Sequence, residues 1–353
     1  MKDLSLVMIV RNEEKKLGRC LKSVAGLVQE IIIVDTGSSD RTKEIATAFE
    51  AKVFDFVWTN DFSEARNYAL SKSTSKWNLI LDADNYVTHI DMEELKEFLT
   101  SSKKIGKIKI IDEVIQNEQL VESEGWYSRL LPAEVNYTGR IHEQVNSDYD
   151  RINVPIVVRH DGYLETDKSN RNMPLLIQAL EEQPTHPYYN YQLGREYYGI
   201  KEFKAACNCF EKSYANITGF EAYAPNVIVQ YIYALIGQKN LSRAMEIINQ
   251  SHEFVGQFSD YHFVCGIFYL EYIMDNPSDR VHLLYKIEES YLKAIEVGES
   301  DLYETVKGTG SDAAYYNLGV FYETTGKTNE AIKAYQRAVS LGSESASIRL
   351  KSL

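Results

Sequence analysis

The chain has 353 residues, 44% of them hydrophobic and 25% charged, a size and balance that predict about two globular domains. Its formal charge of −13 is spread evenly, with 21 basic and 28 acidic side chains in residues 1–165 and 17 and 23 in residues 166–353, so no basic stripe is available for nucleic acid. No apolar run reaches about 18 residues, which excludes a membrane-spanning helix. The four cysteines (Cys20, Cys207, Cys209 and Cys265) have neither metal-site nor disulfide-framework spacing and read as core thiols of a reducing compartment. Met1-Lys2-Asp3-Leu4 runs straight into a strand-like stretch without a cleavable signal, so the expected location is cytoplasmic.

The run Leu4 to Val10 predicts a first buried strand that ends in the polar cluster Arg11-Asn12-Glu13-Glu14. Leu17, Leu21 and Val24 mark one face of a helix ending near Gly26. A second strand, Ile31 to Val34, leads into Asp35-Thr36-Gly37-Ser38-Ser39-Asp40, a turn that supplies the N-cap of a helix with Ile45, Ala46 and Phe49 inward. Val53 to Phe56 is a third, shorter strand. Ser63 is the expected N-cap of a helix carrying Arg66 and Asn67, which delivers the chain to the apolar run Leu79-Ile80-Leu81. Strands alternating with helices at this spacing predict a doubly wound, mostly parallel sheet.

Leu81 is followed at once by Asp82-Ala83-Asp84-Asn85. Carboxylates spaced i, i+2 at a strand end are expected on one side of the chain, where two hard oxygen ligands hold a divalent cation and leave positions open for a diphosphate. Open α/β sheets bind ligands outside the carboxyl ends of their strands, which is where this pair falls. A solvated turn is the plain alternative, and Asp-x-Asp alone does not decide. Polar residues also end the preceding strands, however, at Asn12/Glu13 and at Asp35. Asp35 is suited to accept hydrogen bonds from a base or ribose. Arg66 either pairs with the two aspartates or faces a phosphate, unless it forms a surface pair with Glu64 or Asp61.

Four blocks, Val10-Arg11-Asn12-Glu13, Val34 to Asp40, Asp61-Phe62-Ser63-Glu64-Ala65-Arg66-Asn67 and Leu81 to Asn85, resemble family 2 glycosyltransferases in order and rough spacing. The resemblance covers nearly all of residues 1–165 and implies a GT-A fold, Rossmann-like and α/β. It further implies that Val10, Asn12, Glu13, Asp35, Arg66, Asp82 and Ala83 line the nucleotide-sugar site. Asp84, with Asp82, then holds Mg²⁺ or Mn²⁺ against the diphosphate. One departure is Thr36-Gly37-Ser38 after Asp35, where many relatives have a second Asp, so the base contact differs.

After Asp91-Met92-Glu93-Glu94, a helix start, Ile105 to Ile110 alternates as a half-solvated antiparallel strand does. Trp126 to Leu131 and Ile152 to Arg159 are further strands. The blocks Tyr137 to Gln144 and Arg159-His160-Asp161-Gly162-Tyr163 resemble the acceptor side of a subgroup that includes sublancin-type peptide S-glycosyltransferases and bacterial surface-glycan transferases. Glu143 is the candidate general base, because inverting transfer needs one carboxylate to take the acceptor's proton. His142 is placed to orient Glu143 or the acceptor, and His160 to complete the metal shell. A surface Glu and a hydrogen-bonded edge His are the ordinary alternatives.

Residues 166–353 read as an all-α tetratricopeptide-type solenoid, entered through a polar linker at Lys168 to Asn172. Tyr315-x-x-Leu318-Gly319-x-x-Tyr322 with Ala331, Tyr335 and Ala338 matches the repeat pattern, and Leu193-Gly194-x-x-Tyr197 with Ala206 and Phe210 repeats it. Four repeats are expected near 187–220, 224–254, 260–298 and 312–344, stacking to build a shared core. Most tyrosines of stretches such as Tyr188-Tyr189-Asn190-Tyr191 are expected in that core with hydroxyls toward the rim, while Tyr189 is expected as a rim residue of the first repeat, where tyrosines would line an acceptor groove.

Together these features predict a metal-dependent, inverting glycosyltransferase. It would use a UDP-sugar or other nucleotide-sugar donor and a peptide, protein or glycan acceptor. The repeats would serve acceptor recognition or self-association as a homodimer. The rivals are a repeat scaffold with an inactive α/β domain and a nucleotidyltransferase.

Overall fold

The computed structural model describes residues 3–116, 119–161, 169–299 and 304–353. The chain divides into two compact units, Met1–Leu175 and Leu176–Leu353. The first contains β1 (Leu4–Val10), α1 (Leu17–Ser23), β2 (Glu30–Asp35), α2 (Thr42–Ala48), β3 (Lys52–Asp55), α3 (Phe62–Leu70), β4 (Trp77–Ile80), β5 (Asn85–Ile90), α4 (Met92–Leu99), β6 (Lys104–Gln116), β7 (Gln119–Pro132), β8 (Asn136–Thr138), β9 (Gln144–Asn146) and β10 (Asp150–His160).

Its main sheet runs β3-β2-β1-β4-β7-β6-β10-β5. The strands β3, β2, β1 and β4 are parallel. Beyond them β4–β7, β7–β6 and β10–β5 are antiparallel, while β6–β10 is parallel. The parallel expectation therefore holds where helices supply crossovers, and the sheet turns mixed where they run out. The strand Asn85–Ile90, to which the sequence reading assigns no element, closes the far edge against β10.

Strand β1 shows why these runs are apolar throughout. Leu4, Leu6, Met8 and Val10 enter a core with Leu17, Leu21 and Leu79. Val7, between them, packs on the other face with Ile32, Ile80 and Ala69 of α3. A strand covered on both faces cannot alternate. The N-cap of α3 is Asp61 rather than Ser63: its carboxylate accepts from the Glu64 amide at 3.1 Å and the Ser63 hydroxyl at 2.7 Å.

The expected linker is, from Ser169 on, the first turn of α5 (Ser169–Glu182); Lys168 lies outside the described residues. The second unit holds the pairs α6 (Pro187–Gly199) and α7 (Phe203–Asn216), α8 (Ala224–Gly237) and α9 (Leu241–Val255). They are followed by α10 (Ser259–Asp275), the short α11 (Pro277–Arg280), α12 (Leu284–Val297), α13 (Asp312–Thr324), α14 (Thr328–Ser340) and α15 (Glu344–Leu350). Glycine in the first helix of a pair faces an aromatic in the second. A Cβ on Gly194 would stand 2.7 Å from Phe210, one on Gly266 2.6 Å from Tyr291, and one on Gly319 2.6 Å from Tyr335. Tyr189 is buried, its ring stacked on His186 at 4.2 Å, so it is a core residue and not a rim one. The four cysteines are buried free thiols. Among the described residues, no helix is long and apolar enough to cross a membrane.

Candidate active site

Strand register sets the site. Val10 lies opposite Asp35, and Val7 opposite Ile80, so the loops after β1, β2 and β4 leave the same edge of the sheet. The first two loops are laced together. The Asn12 amide, at a left-handed φ of 56°, donates to the Ser38 hydroxyl at 2.9 Å, and its side-chain oxygen accepts from the Ser39 amide at 2.8 Å. The Glu13 amide donates to the Thr42 hydroxyl at 2.7 Å. The Val10 carbonyl accepts from the Thr36 amide at 3.0 Å. Asn12 thus spends its side chain on shaping the loop.

Asp35 is 1% exposed. One carboxylate oxygen accepts from the amides of Gly37 at 3.0 Å and Ser38 at 2.8 Å. The other is buried without a hydrogen-bond partner. A buried acceptor left unmatched is costly.

Strand β4 ends at Ile80, and the aspartate pair sits in the turn that follows, closed by the Asn85 amide donating to the Asp82 carbonyl at 2.9 Å. The two carboxylates meet different charged groups. Asp82 accepts from Arg66 at 2.8 Å and from Arg129 at 3.3 Å. Partial burial opposes its charge, but the two guanidinium groups outweigh that and hold the carboxyl far below the usual range. Arg66, itself 7% exposed, also donates through Nε to Glu143. Its partners are therefore Asp82 and Glu143, and the surface pair with Glu64 or Asp61 is ruled out. Tyr137 closes this cluster, its ring 5.7 Å from the Arg66 guanidinium and its hydroxyl buried without a partner.

Helix α3 is what ties these parts together. Arg66 reaches the turn after β4 and the β8–β9 hairpin at once. Its neighbour Asn67 clamps Tyr137, donating to the carbonyl at 2.9 Å and accepting from the amide at 2.8 Å. His142, at a left-handed φ of 49°, brings the chain into Glu143, and its carbonyl accepts from the Gln144 amide group at 2.9 Å.

Asp84 is 7% exposed. One of its oxygens lies 3.2 Å from Nε2 of His160, and Nδ1 of that ring lies 2.5 Å from Asp112. Burial works against a charged ring, but the hydrogen bonds to Asp112 and Asp84 prevail and push its pKa up to about 9. Ala83, between the aspartates, is buried. Asp161 is held by Arg19 at 2.7 Å, while Gly162 and Tyr163 lie outside the described residues.

The sequence reading missed Arg129 and Asp112. Each is a charged residue bordering an apolar pair inside a strand, Ile110-Ile111 before Asp112 and Leu130-Leu131 after Arg129, which was the available signal. Which loop they would meet depends on pairings that the sequence does not display.

Residues 5–160 match the model of Glycosyl transferase family 2, and residues 312–341 that of Tetratricopeptide repeat. The SPbeta prophage-derived glycosyltransferase SunS of Bacillus subtilis (strain 168) is 29% identical over 230 residues, covering 60% of this chain and 53% of that protein. A TPR repeat-containing protein of Synechococcus elongatus is 44% identical over 106 residues, 30% of this chain and 26% of that one. An uncharacterized glycosyltransferase of Rickettsia typhi is 32% identical over 101 residues, 29% of this chain and 34% of that one. The chain spans between 26% and 53% of the length of these relatives. Residues 5–160 are accordingly a family 2 glycosyltransferase domain, followed in the chain by a tetratricopeptide-like helical region.

Proposed function

We propose that this chain is a metal-dependent, inverting glycosyltransferase that moves a sugar from a UDP-linked or other nucleotide-diphosphate donor to a peptide, protein or glycan acceptor. The observation that supports the reading most is the approach of the Asp84 carboxylate and the His160 imidazole to 3.2 Å beside the Asp82–Arg66 pair. A carboxylate oxygen with an imidazole nitrogen is a donor set that fits Mn²⁺, and Mg²⁺ with more of its sphere left to water and phosphate. Asp84 and His160 would hold the cation. Asp82, with both oxygens taken by arginines, would meet the donor as a fixed acceptor for sugar or ribose hydroxyls. A bound divalent cation would neutralise the leaving diphosphate.

The remaining roles belong to the chain's own groups. The unmatched Asp35 oxygen would accept from the N–H of the base, a role open to uracil. Val10, Asn12, Glu13 and Ala83 would shape the walls of the nucleotide site. Glu143 would take the acceptor's proton, with His142 setting the turn that aims it. Its pair with Arg66 holds it in a nearly buried position. The helical region would serve acceptor recognition or self-association.

A hydrolysis screen of UDP- and GDP-sugars with and without Mn²⁺ tests the reading. Release of a nucleoside diphosphate that depends on the metal is expected. Release of pyrophosphate would point to nucleotidyl transfer, and no turnover or binding of any donor would point to a scaffold.

A further inference from the structure

We propose that Asp112 is a positioning residue, which holds the His160 ring so that Nε2 faces Asp84 and a divalent cation bound there. The inference rests on the reading of Asp84 and His160 as the cation-holding pair.

The sheet brings the three groups into one row. On β10, His160 lies opposite Asp112 of β6 on one side and opposite Asn85, the residue after Asp84, on the other. The three side chains are nearly buried, at 14% exposure for Asp112, 11% for His160 and 10% for Asp84. Solvent therefore contributes little to the ring's orientation, and the two carboxylates act on it from its two nitrogens. A carboxylate oxygen only accepts, so the 2.5 Å contact requires that Nδ1 carry a hydrogen. When Nε2 gives up its own hydrogen, the ring is left as the Nδ1–H tautomer with its lone pair toward Asp84. The same contact fixes the ring plane, because β10 anchors the backbone and Asp112 the far nitrogen. Without it the ring can turn or take the other tautomer, and neither presents Nε2. Outer carboxylates of this kind are worth about 10–100-fold in metal affinity.

The test uses the full chain carrying Asp112→Leu or Asp112→Asn. Mn²⁺ binding in the presence of UDP is followed through the electron paramagnetic resonance signal of free Mn²⁺. Transfer is then measured across a Mn²⁺ series. The expected result is Mn²⁺ binding about tenfold weaker in Asp112→Leu, and weakened less in Asp112→Asn, whose side-chain oxygen still accepts from Nδ1. The half-activating Mn²⁺ concentration should rise in step, while kcat recovers at saturating metal. A purely structural role would lower kcat at every Mn²⁺ concentration and would overturn the inference. So would unchanged Mn²⁺ affinity in both variants while the wild type binds the metal. If Asp112→Leu fails to fold, Asp112→Asn decides by the same criterion. A wild type that binds UDP but no Mn²⁺ would instead overturn the cation reading on which this rests.

Discussion

Asp82 and Asp84 stand two residues apart and meet different charged groups: Asp82 is held by Arg66 at 2.8 Å and Asp84 lies 3.2 Å from His160. The turn between them divides the site into an arginine-backed half and an imidazole-backed half. The two halves call for different chemistry and give different expected outcomes when disturbed.

Arg66 is a buried cation between two carboxylates, so its loss should be felt as instability before it is felt as lost activity. Arg66→Met leaves Glu143, nearly buried, and Asp82, half-buried, with less positive charge to face. A broken buried pair costs about 3–5 kcal/mol, whereas an exposed one costs less than about 1 kcal/mol. Urea unfolding of the variant distinguishes the two, and a loss below about 1 kcal/mol would show that the pair is effectively solvated.

Glu143→Gln keeps the volume and removes the proton acceptor. Transfer should fall by about 10²–10⁴-fold while donor binding persists. The product of the wild type should carry an inverted anomeric centre. Asp161 is a poor substitute base, because Arg19 and Lys16 hold its carboxyl below its ordinary range. An unchanged rate in Glu143→Gln would move the role elsewhere.

The first four strands, their order in the chain and the polar ends of β1, β2 and β4 were legible because each is a local pattern. An apolar run, a cap or a carboxylate pair lies within about ten residues and needs no partner to be seen. What was not legible depends on pairing across the sheet. Nothing local in Ile110-Ile111-Asp112 reports that β6 lies beside β10, and nothing in Ser128-Arg129-Leu130 reports that β7 borders β4. The strand Asn85–Ile90 was hidden because its outer face is polar and its edge pairs with a strand about 70 residues later. Tyr189 was misplaced for a related reason: helical spacing does not say which tyrosine of a Tyr-rich helix turns inward. The Gly194–Phe210 and Gly319–Tyr335 contacts of the repeats, by contrast, follow from the same internal offset of 16 residues.

Those contacts carry a prediction of their own. Gly319→Ala gains about 1 kcal/mol of helix propensity but drives a methyl to 2.6 Å from the Tyr335 ring, which is fully buried. Overpacking of this kind costs about 1–3 kcal/mol. The net effect should be a lower Tm for the helical unit, and a raised Tm would mean that Tyr335 yields freely.

Asp260, 4% exposed on α10, sets a pH dependence within the helical unit. Burial raises its pKa to about 7 against the Thr309 and Val306 hydrogen bonds, with Glu299 and Glu304 raising it further. The hydrogen count agrees. The Thr309 hydroxyl contacts both Asp260 and, at 2.8 Å, the Val306 carbonyl, and its one hydrogen satisfies both only if Asp260 supplies another. The folded state therefore keeps this proton over a range where the unfolded chain has lost it. The stabilisation is complete below about pH 4 and is lost as pH rises through about 7. Asp260→Asn, which retains a donor and an acceptor, should flatten that part of the Tm–pH curve. Equal slopes in variant and wild type would contradict the assignment.

The central claim is that Asp84 holds the cation on which donor cleavage depends. Asp84→Asn keeps the volume and removes the charge, so nucleoside diphosphate release from the best UDP- or GDP-sugar should be compared with the wild type across a Mn²⁺ series. The account predicts a drop of orders of magnitude in a folded protein whose Mn²⁺ affinity has fallen with it. Near-normal, metal-dependent release from Asp84→Asn would contradict it.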